Sequence, residues 1–264
     1  MIETIKNVSN ILFFCIVPLI AVLSYIQARK TLFAPIRTET FKLQLKTFEE
    51  ILLFFQNKTE SDYLNAFDLD RIMSLNALEM ADNYVTNFFP DEIKIDKESR
   101  AEIYKPLIGA IVSMKHAEQF FQQIDSSNPS PRTSEEDNKI TNPAIILAKW
   151  KKYEHGAIRF TKDFQNQIDE LQRIAASPLI PKNLRALILE FKKVGEENLS
   201  LIGTTISELA QLMPEHFPNA KDMQKFSHHW IWNEYNRKRG NFEPIANKIL
   251  SYFNEYLKVD EILK

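Results

Sequence analysis

The stretch Asn7 to Ala28 reads NVSNILFFCIVPLIAVLSYIQA and contains no charged side chain. A helix of this length rises roughly 33 Å, which matches the roughly 30 Å hydrocarbon core of a bilayer. Its many Leu, Ile, Val and Phe residues favour insertion into a membrane, and Pro18 and Ser24 reduce that tendency without cancelling it. The stretch therefore predicts a single transmembrane helix, and residues 1–34 are assigned to this anchor.

A cleaved signal peptide is the alternative interpretation of the same stretch. However, the small residues Ser24 and Ala28 make poor cleavage sites, and Arg29 and Lys30 directly afterwards oppose export of the chain that follows. A retained anchor is therefore the favoured interpretation.

The charges that flank the apolar stretch predict its orientation. Basic residues are concentrated on its carboxyl-terminal side: Arg29, Lys30, Arg37, Lys42 and Lys46. By the positive-inside rule this predicts a single-pass protein of the inner (cytoplasmic) membrane, with its amino terminus outside and its carboxyl-terminal domain in the cytoplasm. The only cysteine, Cys15, lies within the stretch, so the rest of the chain can form no disulfide.

The composition of the chain favours helices over strands. It has five glycines in 264 residues, whereas glycine averages roughly 7% of residues and is needed in tight hairpins. The formal net charge of −2 provides no basic field for nucleic acid, so no nucleic-acid partner is expected. We predict an all-α fold, in which the transmembrane helix is followed by a cytoplasmic multi-helix bundle.

Proline and polar stretches divide the part beyond the anchor into regions. Residues 35–124 form a first helical region, 125–142 a polar linker or loop, and 143–264 a second helical region that could form one body with the first. The linker contains one aliphatic residue in eighteen, so it cannot contribute to a core.

Pro35 predicts a kink or the first turn of a new, second helix. That helix carries an apolar seam with alternating spacings of four and three residues: Phe41, Leu45, Phe48, Leu52 and Phe55. The seam could pack on the protein's own core or could join two copies of the chain, and it would couple the anchor to the cytoplasmic domain in either case.

Further helices are predicted in the first region. A capping sequence at Thr59 to Asp62 starts a helix that continues to Phe89, and Asp68 and Asp70 suit helix capping better than metal binding. Asp96 is predicted to cap a later helix. Its apolar stripe comprises Ile103, Leu107, Ile111, Met114, Ala117, Phe121 and Ile124.

The second region predicts a long antiparallel helical hairpin. Its first helix follows a stripe from Ile146 to Ile174, and its second follows one from Leu184 to Met213. Two shorter helices, Asn219 to Arg239 and Phe242 to Leu257, follow the hairpin, and Gly240 is placed as a helix C-terminal cap between them.

The sequence carries no metal-binding, nucleotide-binding or nucleophile-elbow motif, so no catalytic residue, metal or cofactor is predicted. The segment from Lys225 to Arg239 combines aromatic, imidazole and basic groups on two helix faces. These groups could pack in the core or could bind an anionic ligand or a partner. The candidate binding residues are His228, His229, Trp232, Tyr235, Arg237 and Arg239.

Three functions fit these features. The first is a membrane-anchored helical sensor or interaction module without enzymatic activity, whose partners are the lipid bilayer and a protein partner or further copies of the chain. The second is a membrane-disrupting effector, which resembles bacterial toxin and phage-defence effectors in organisation and would imply a bacterial, antiviral role. The third is an enzyme with an unfamiliar helical site around His228 and His229.

Overall fold

The computed structural model of the chain describes residues 2–112 and 142–257, with side chains from residue 13 onward apart from that of residue 32. About 75% of the described chain is helical, which confirms a helical fold. The chain divides into two compact units. The helix unit comprises Met1–Gln56 and Ser177–Pro181, and the body unit comprises Asn57–Ala176 and Lys182–Lys264.

The helix unit is dominated by α1 (Ile2–Phe55), which has 54 residues and is therefore roughly 80 Å long. In the described part of the chain it is the one helix whose length and apolar composition would allow it to cross a membrane. Helix α1 continues through both Pro18 and Pro35, so the prediction that a second helix starts after Pro35 is wrong. One proline removes a single backbone hydrogen bond, which the long helical segments on both sides tolerate.

Side-chain burial divides α1 into two parts. Large apolar side chains between Phe13 and Ile26 are exposed, whereas Phe48, Ile51 and Phe55 are at most 1% exposed. The first part has the surface expected of a lipid-facing helix, because protein does not cover its apolar groups. The last part of the same helix is held by protein packing.

The body unit is built from ten helices and two strands in the described residues. Residues 57–112 contain α2 (Glu60–Ala66), α3 (Leu69–Phe88), α4 (Lys97–Tyr104) and β1 (Leu107–Val112). Residues 142–257 contain α5 (Pro143–Trp150), β2 (Ala157–Thr161), α6 (Lys162–Ala176), α7 (Lys182–Ala210), α8 (Met213–His216), α9 (Ala220–Met223), α10 (His229–Lys238) and α11 (Glu243–Leu257).

Strands β1 and β2 form an antiparallel pair, in which Gly109 faces Phe160 and Ile111 faces Ile158. The helical stripe predicted from Ile103 is therefore wrong at Leu107 and Ile111, which lie in β1. Residues four apart share a face in a helix and also in a strand, so this spacing could not separate the two. The rest of that stripe, from residue 114 to residue 124, and the linker up to residue 141 lie outside the described residues.

The single helix predicted from Ile146 to Ile174 is also wrong. Helix α5 ends at Trp150, β2 occupies Ala157–Thr161, and α6 begins only at Lys162. The break includes Gly156, which is a poor helix former. Helices α6 and α7 pack against each other, and they are joined in sequence by the segment Ser177–Pro181 of the helix unit.

Helix α7 is the central element of the body unit, because α3, α6, α10, α11 and β2 all pack against it. Glycines on α7 permit this close packing. A Cβ atom at Gly195 would lie 2.8 Å from the Phe67 ring, and one at Gly203 would lie 2.6 Å from the Ile158 side chain. Both distances are shorter than van der Waals contact, so glycine, which has no Cβ atom, is the residue that fits at each position.

Helix starts follow the sequence predictions only in part. Thr59 and Asp62 form the predicted capping box, and Asp96 accepts hydrogen bonds from the amides of Glu98 and Ser99. The uninterrupted helix predicted up to Phe89 is wrong, because α2 and α3 are separated at Asp68, which has a left-handed φ of 54°. The Asp68 side chain makes no capping hydrogen bond, and burial raises the pKa of its carboxyl group.

Candidate functional site

The segment with the predicted binding residues consists of two short helices. Helix α9 ends at Met223 and α10 begins at His229, so the single helix predicted from Asn219 to Arg239 is wrong. The rings of His228 and His229 lie side by side with centroids 4.8 Å apart. Among the described residues, no group of three or more His, Cys, Asp or Glu side chains could hold a metal ion.

The two aromatic candidates differ in accessibility. Tyr235 is fully buried, and burial raises the pKa of its phenol. The half-buried ring of Trp232 stacks on it with centroids 5.3 Å apart. Tyr235 is therefore part of the core, and Trp232 is the aromatic group of this pair that a ligand could reach.

The basic residues at the end of α10 all form ion pairs with carboxylates. Arg237 contacts Glu234 at 2.7 Å, and Lys238 contacts Glu208 and Glu234. The hydrogen bond from Arg237 is the main reason that the pKa of Glu234 is lowered. An anionic ligand at this position would have to compete with carboxylates that already neutralise the basic groups.

Arg239 belongs to a junction that the sequence did not indicate. Its side chain is 10% exposed, and its guanidinium group pairs with the carboxylate of Glu60. The other oxygen of Glu60 accepts hydrogen bonds from the backbone amides of Phe242 and Glu243, at 2.8 and 2.9 Å. Glu60 therefore connects α2 to the end of α10 and to the start of α11, where its negative charge interacts favourably with the helix dipole.

We expect Glu60→Gln to lower the free energy of unfolding by about 1–3 kcal/mol, because it leaves the buried guanidinium group of Arg239 without its counter-charge. Chemical denaturation followed by tryptophan fluorescence would measure the change, since all three tryptophans lie in the body unit. Glu98→Gln is the matched control, because Glu98 is exposed. Equal free energies of unfolding for the two variants would show that this junction contributes little to the stability of the protein.

One concave site in the body unit is a cleft of about 820 Å³, which we call the α3 cleft. It is formed by α3, the loop before α4, the start of α4, and α9 with the residues after it. Its lining residues are Leu78, Ala81, Asp82, Val85, Glu92, Ile93, Lys94, Ile95, Asp96, Ser99, Arg100, Ala220, Lys221, Met223, Gln224 and Phe226.

Asp82 is the centre of a hydrogen-bonded cluster at the α3 cleft. Arg100 contacts its Oδ1 atom at 2.9 Å, and the hydroxyl group of Tyr104 donates to its Oδ2 atom at 2.7 Å. Burial and then the hydrogen bond to Asp82 raise the pKa of Tyr104. The guanidinium group of Arg159 lies 5.5 Å from the centre of the Tyr104 ring.

Comparison with protein-family models, with curated proteins and with solved structures gives no match. The sites of this chain are therefore the basis of its proposed function.

A second cavity, of about 410 Å³, lies between α7 and the chain that enters β2. The buried ring of His155 lies at its wall. Its Nε2 atom donates to Oδ1 of Asn76 at 3.1 Å, and its Nδ1 atom accepts from the Tyr153 hydroxyl at 3.2 Å. The Oδ1 atom of Asn76 can only accept a hydrogen bond, so the proton of the His155 ring lies on Nε2. This network holds His155 in one orientation.

The predicted coupling seam on α1 is buried at one end and open at the other. Phe48 and Phe55 are buried, Leu52 is half-buried, and Phe41 and Leu45 are 50% and 38% exposed. Protein packing therefore holds the second half of the seam, while the first half offers an apolar surface.

Neither the Asp82 cluster nor the Asn76 network is predicted from the sequence. Asp82 lies 18 and 22 residues from the side chains that it binds, and Asn76 lies 83 residues from Arg159. No local pattern signals such contacts. The one available signal was Asn76 itself, a polar residue within the apolar face of α3.

Proposed function

We propose that the protein is a membrane-anchored helical sensor or interaction module without enzymatic activity of its own. Its body unit would lie in the cytoplasm and bind a ligand or a protein partner at the inner face of the membrane. The observation that carries this proposal is the continuity of α1. The exposed apolar part at Phe13–Ile26 and the buried part at Phe48–Phe55 belong to one uninterrupted helix.

A continuous helix supports coupling because it transmits a displacement along its length better than a flexible linker does. The helix unit also contains Ser177–Pro181, which joins α6 to α7 in sequence. The body unit is therefore attached to the helix unit by the covalent chain at both Gln56 and this inserted segment.

The polar groups of the described sites support binding rather than chemistry. Arg237 and Arg239 pair with carboxylates, and Asp82 pairs with Arg100 and Tyr104. Groups held in such pairs present a fixed arrangement of charge, which suits recognition of a partner.

A second candidate function is the membrane-disrupting effector. It is favoured by the apolar side chains of α1 that remain exposed beyond the predicted span, which include Phe33, Ile36, Phe41, Leu43 and Leu45. Such a surface could join several copies of the chain and bring their membrane segments together. In a bacterium, that organisation would serve toxin or phage-defence activity.

The topology tests the anchored module. In bacterial cells, a fluorescent protein fused after Lys264 should fluoresce, and alkaline phosphatase fused at the same position should be inactive, because the carboxyl terminus is expected in the cytoplasm. The double substitution Leu19→Arg with Val22→Arg should release the fusion from the membrane fraction, since each arginine at the centre of a span costs about 2.5–3.5 kcal/mol. Leu19→Ile with Val22→Ile is the control.

Active phosphatase would reverse the proposed orientation. An amino terminus that begins after residue 24 in the mature protein would show a cleaved signal peptide and would refute the anchor.

Leu45→Glu separates the module from the effector. If the exposed half of the seam joins copies of the chain, crosslinking between protomers and membrane depolarisation on expression should both be lost in this variant. Gln44→Glu introduces the same charge next to it and serves as the control. The module predicts no depolarisation with the native protein or with either variant.

A further inference from the structure

We propose that the α3 cleft binds a small organic anion with a flat apolar body. This inference rests on the proposed function, because it names the ligand class that the sensor would detect. The volume of about 820 Å³ lies within the range of roughly 300–1,000 Å³ that is typical of small-molecule sites.

The apolar walls of the cleft come from separate elements that face each other. Helix α3 contributes Leu78 and Val85, which lie seven residues apart on one helix face. The loop before α4 contributes Ile93, and Met223 and Phe226 line the cleft from α9 and the residues after it. The polarisable sulfur of Met223 and the half-buried ring of Phe226 suit a planar aromatic or conjugated body.

Two lysines at the cleft are available to bind an anion. Asp82 is paired with Arg100, and the carboxylate of Asp96 accepts the capping hydrogen bonds of α4. The other charged groups of the lining are Glu92, Lys94 and Lys221, so its formal charges balance and an anion would be attracted by the two lysines rather than by a net positive charge.

Lys94 and Lys221 form no ion pair with any residue that the structure describes, and both are exposed. They differ in this respect from the basic groups of α10, which are already paired with carboxylates. An anionic group bound here would therefore gain two charge interactions without breaking an existing one.

Methyl NMR of the full-length protein in detergent micelles would test the inference. With ¹³C-methyl methionine, Met223 reports on the cleft, and the fully buried Met73 and Met213 serve as internal references. The probes are 2-naphthalenesulfonate and the neutral 2-naphthalenemethanol. We expect both to shift the Met223 signal saturably, because an aromatic ring would lie beside it, and the sulfonate to bind about tenfold more tightly.

Lys94→Gln with Lys221→Gln should remove the preference for the sulfonate and leave the affinity for the alcohol unchanged. Lys105→Gln with Lys193→Gln removes the same charge from side chains that are 74% and 71% exposed and do not line the cleft, and should keep the preference. A Met223 signal that neither probe shifts saturably, or equal affinities of the native protein for both probes, would overturn the inference. The topology experiment is independent of these outcomes, so a failed anchor and a failed ligand site can be told apart.

Discussion

Asn76→Ala should lower the free energy of unfolding by about 3–5 kcal/mol, since it leaves several buried polar groups without partners. The Asn76 side chain is fully buried. Its Nδ2 atom donates to the carbonyl groups of Ile72 and Arg159 at 2.7 and 2.8 Å. Its Oδ1 atom accepts from the Arg159 amide at 2.9 Å and from His155, so both donors and both acceptor positions are used.

Through the N–H and C=O groups of Arg159, Asn76 pairs with β2 as a neighbouring strand would. Asn76 therefore attaches the sheet to α3. The Asn76→Ala substitution should also remove the hydrogen bond that holds His155 at the wall of the second cavity. Chemical denaturation in detergent, followed by tryptophan fluorescence, would measure the change in stability. Amide exchange at Arg159 should become faster in the variant, because its N–H group loses its acceptor.

Asn87→Ala is the matched control, because Asn87 lies on the same helix and is exposed. It should change the free energy of unfolding by less than about 0.5 kcal/mol. If Asn76→Ala behaved like this control and amide exchange at Arg159 were unchanged, water would have to replace the four hydrogen bonds, and the proposed role of Asn76 would be wrong.

Phe67→Ala should have an effect of similar size, about 3–5 kcal/mol. The ring of Phe67 is fully buried and stacks on Phe242 with centroids 4.8 Å apart. It also contacts Phe164 of α6 and Phe191 of α7, so truncation leaves a cavity among aromatic rings from two helices and the residue before α11. Leu189→Ala, at a side chain that is 40% exposed on α7, should cost less than about 1 kcal/mol.

A double-mutant cycle makes this prediction specific. In the native protein, Gly195→Ala should be destabilising, because its Cβ atom would lie 2.8 Å from the Phe67 ring. In the Phe67→Ala background the clash is absent and the added methyl group fills part of the cavity, so the cost should fall by about 1 kcal/mol or more. Additive effects would contradict the direct contact between these two positions.

Patterns that depend on neighbouring residues were predicted well. The capping box at Thr59, the cap at Asp96 and the apolar amino-terminal helix each follow from chemistry within a few residues. The helical fold follows from the repeated three-and-four spacing and the low glycine content. The orientation in the membrane and the function remain predictions.

Errors occurred where one spacing fits two structures or where a local signal was outweighed. Leu107 and Ile111 fit a strand as well as a helix, and Pro106 with Gly109 was the neglected signal for β1. Pro35 does not start a new helix, because a long helix can lose one hydrogen bond and continue. Asp68 interrupts a helical pattern by its left-handed backbone, which aspartate adopts more readily than most residues do.

The sequence by itself determined the apolar stretch, the helical class and the helix starts at Thr59 and Asp96, because hydrophobic periodicity and capping act over a few residues. Only the tertiary structure decided that β2 is held by Asn76, that Glu60 joins Arg239 to the start of α11, and that Asp82 closes one side of the α3 cleft. Each of these contacts pairs groups that are distant in the chain. The physical reason is that a buried polar group needs a partner, and packing, rather than local sequence, selects which group becomes that partner.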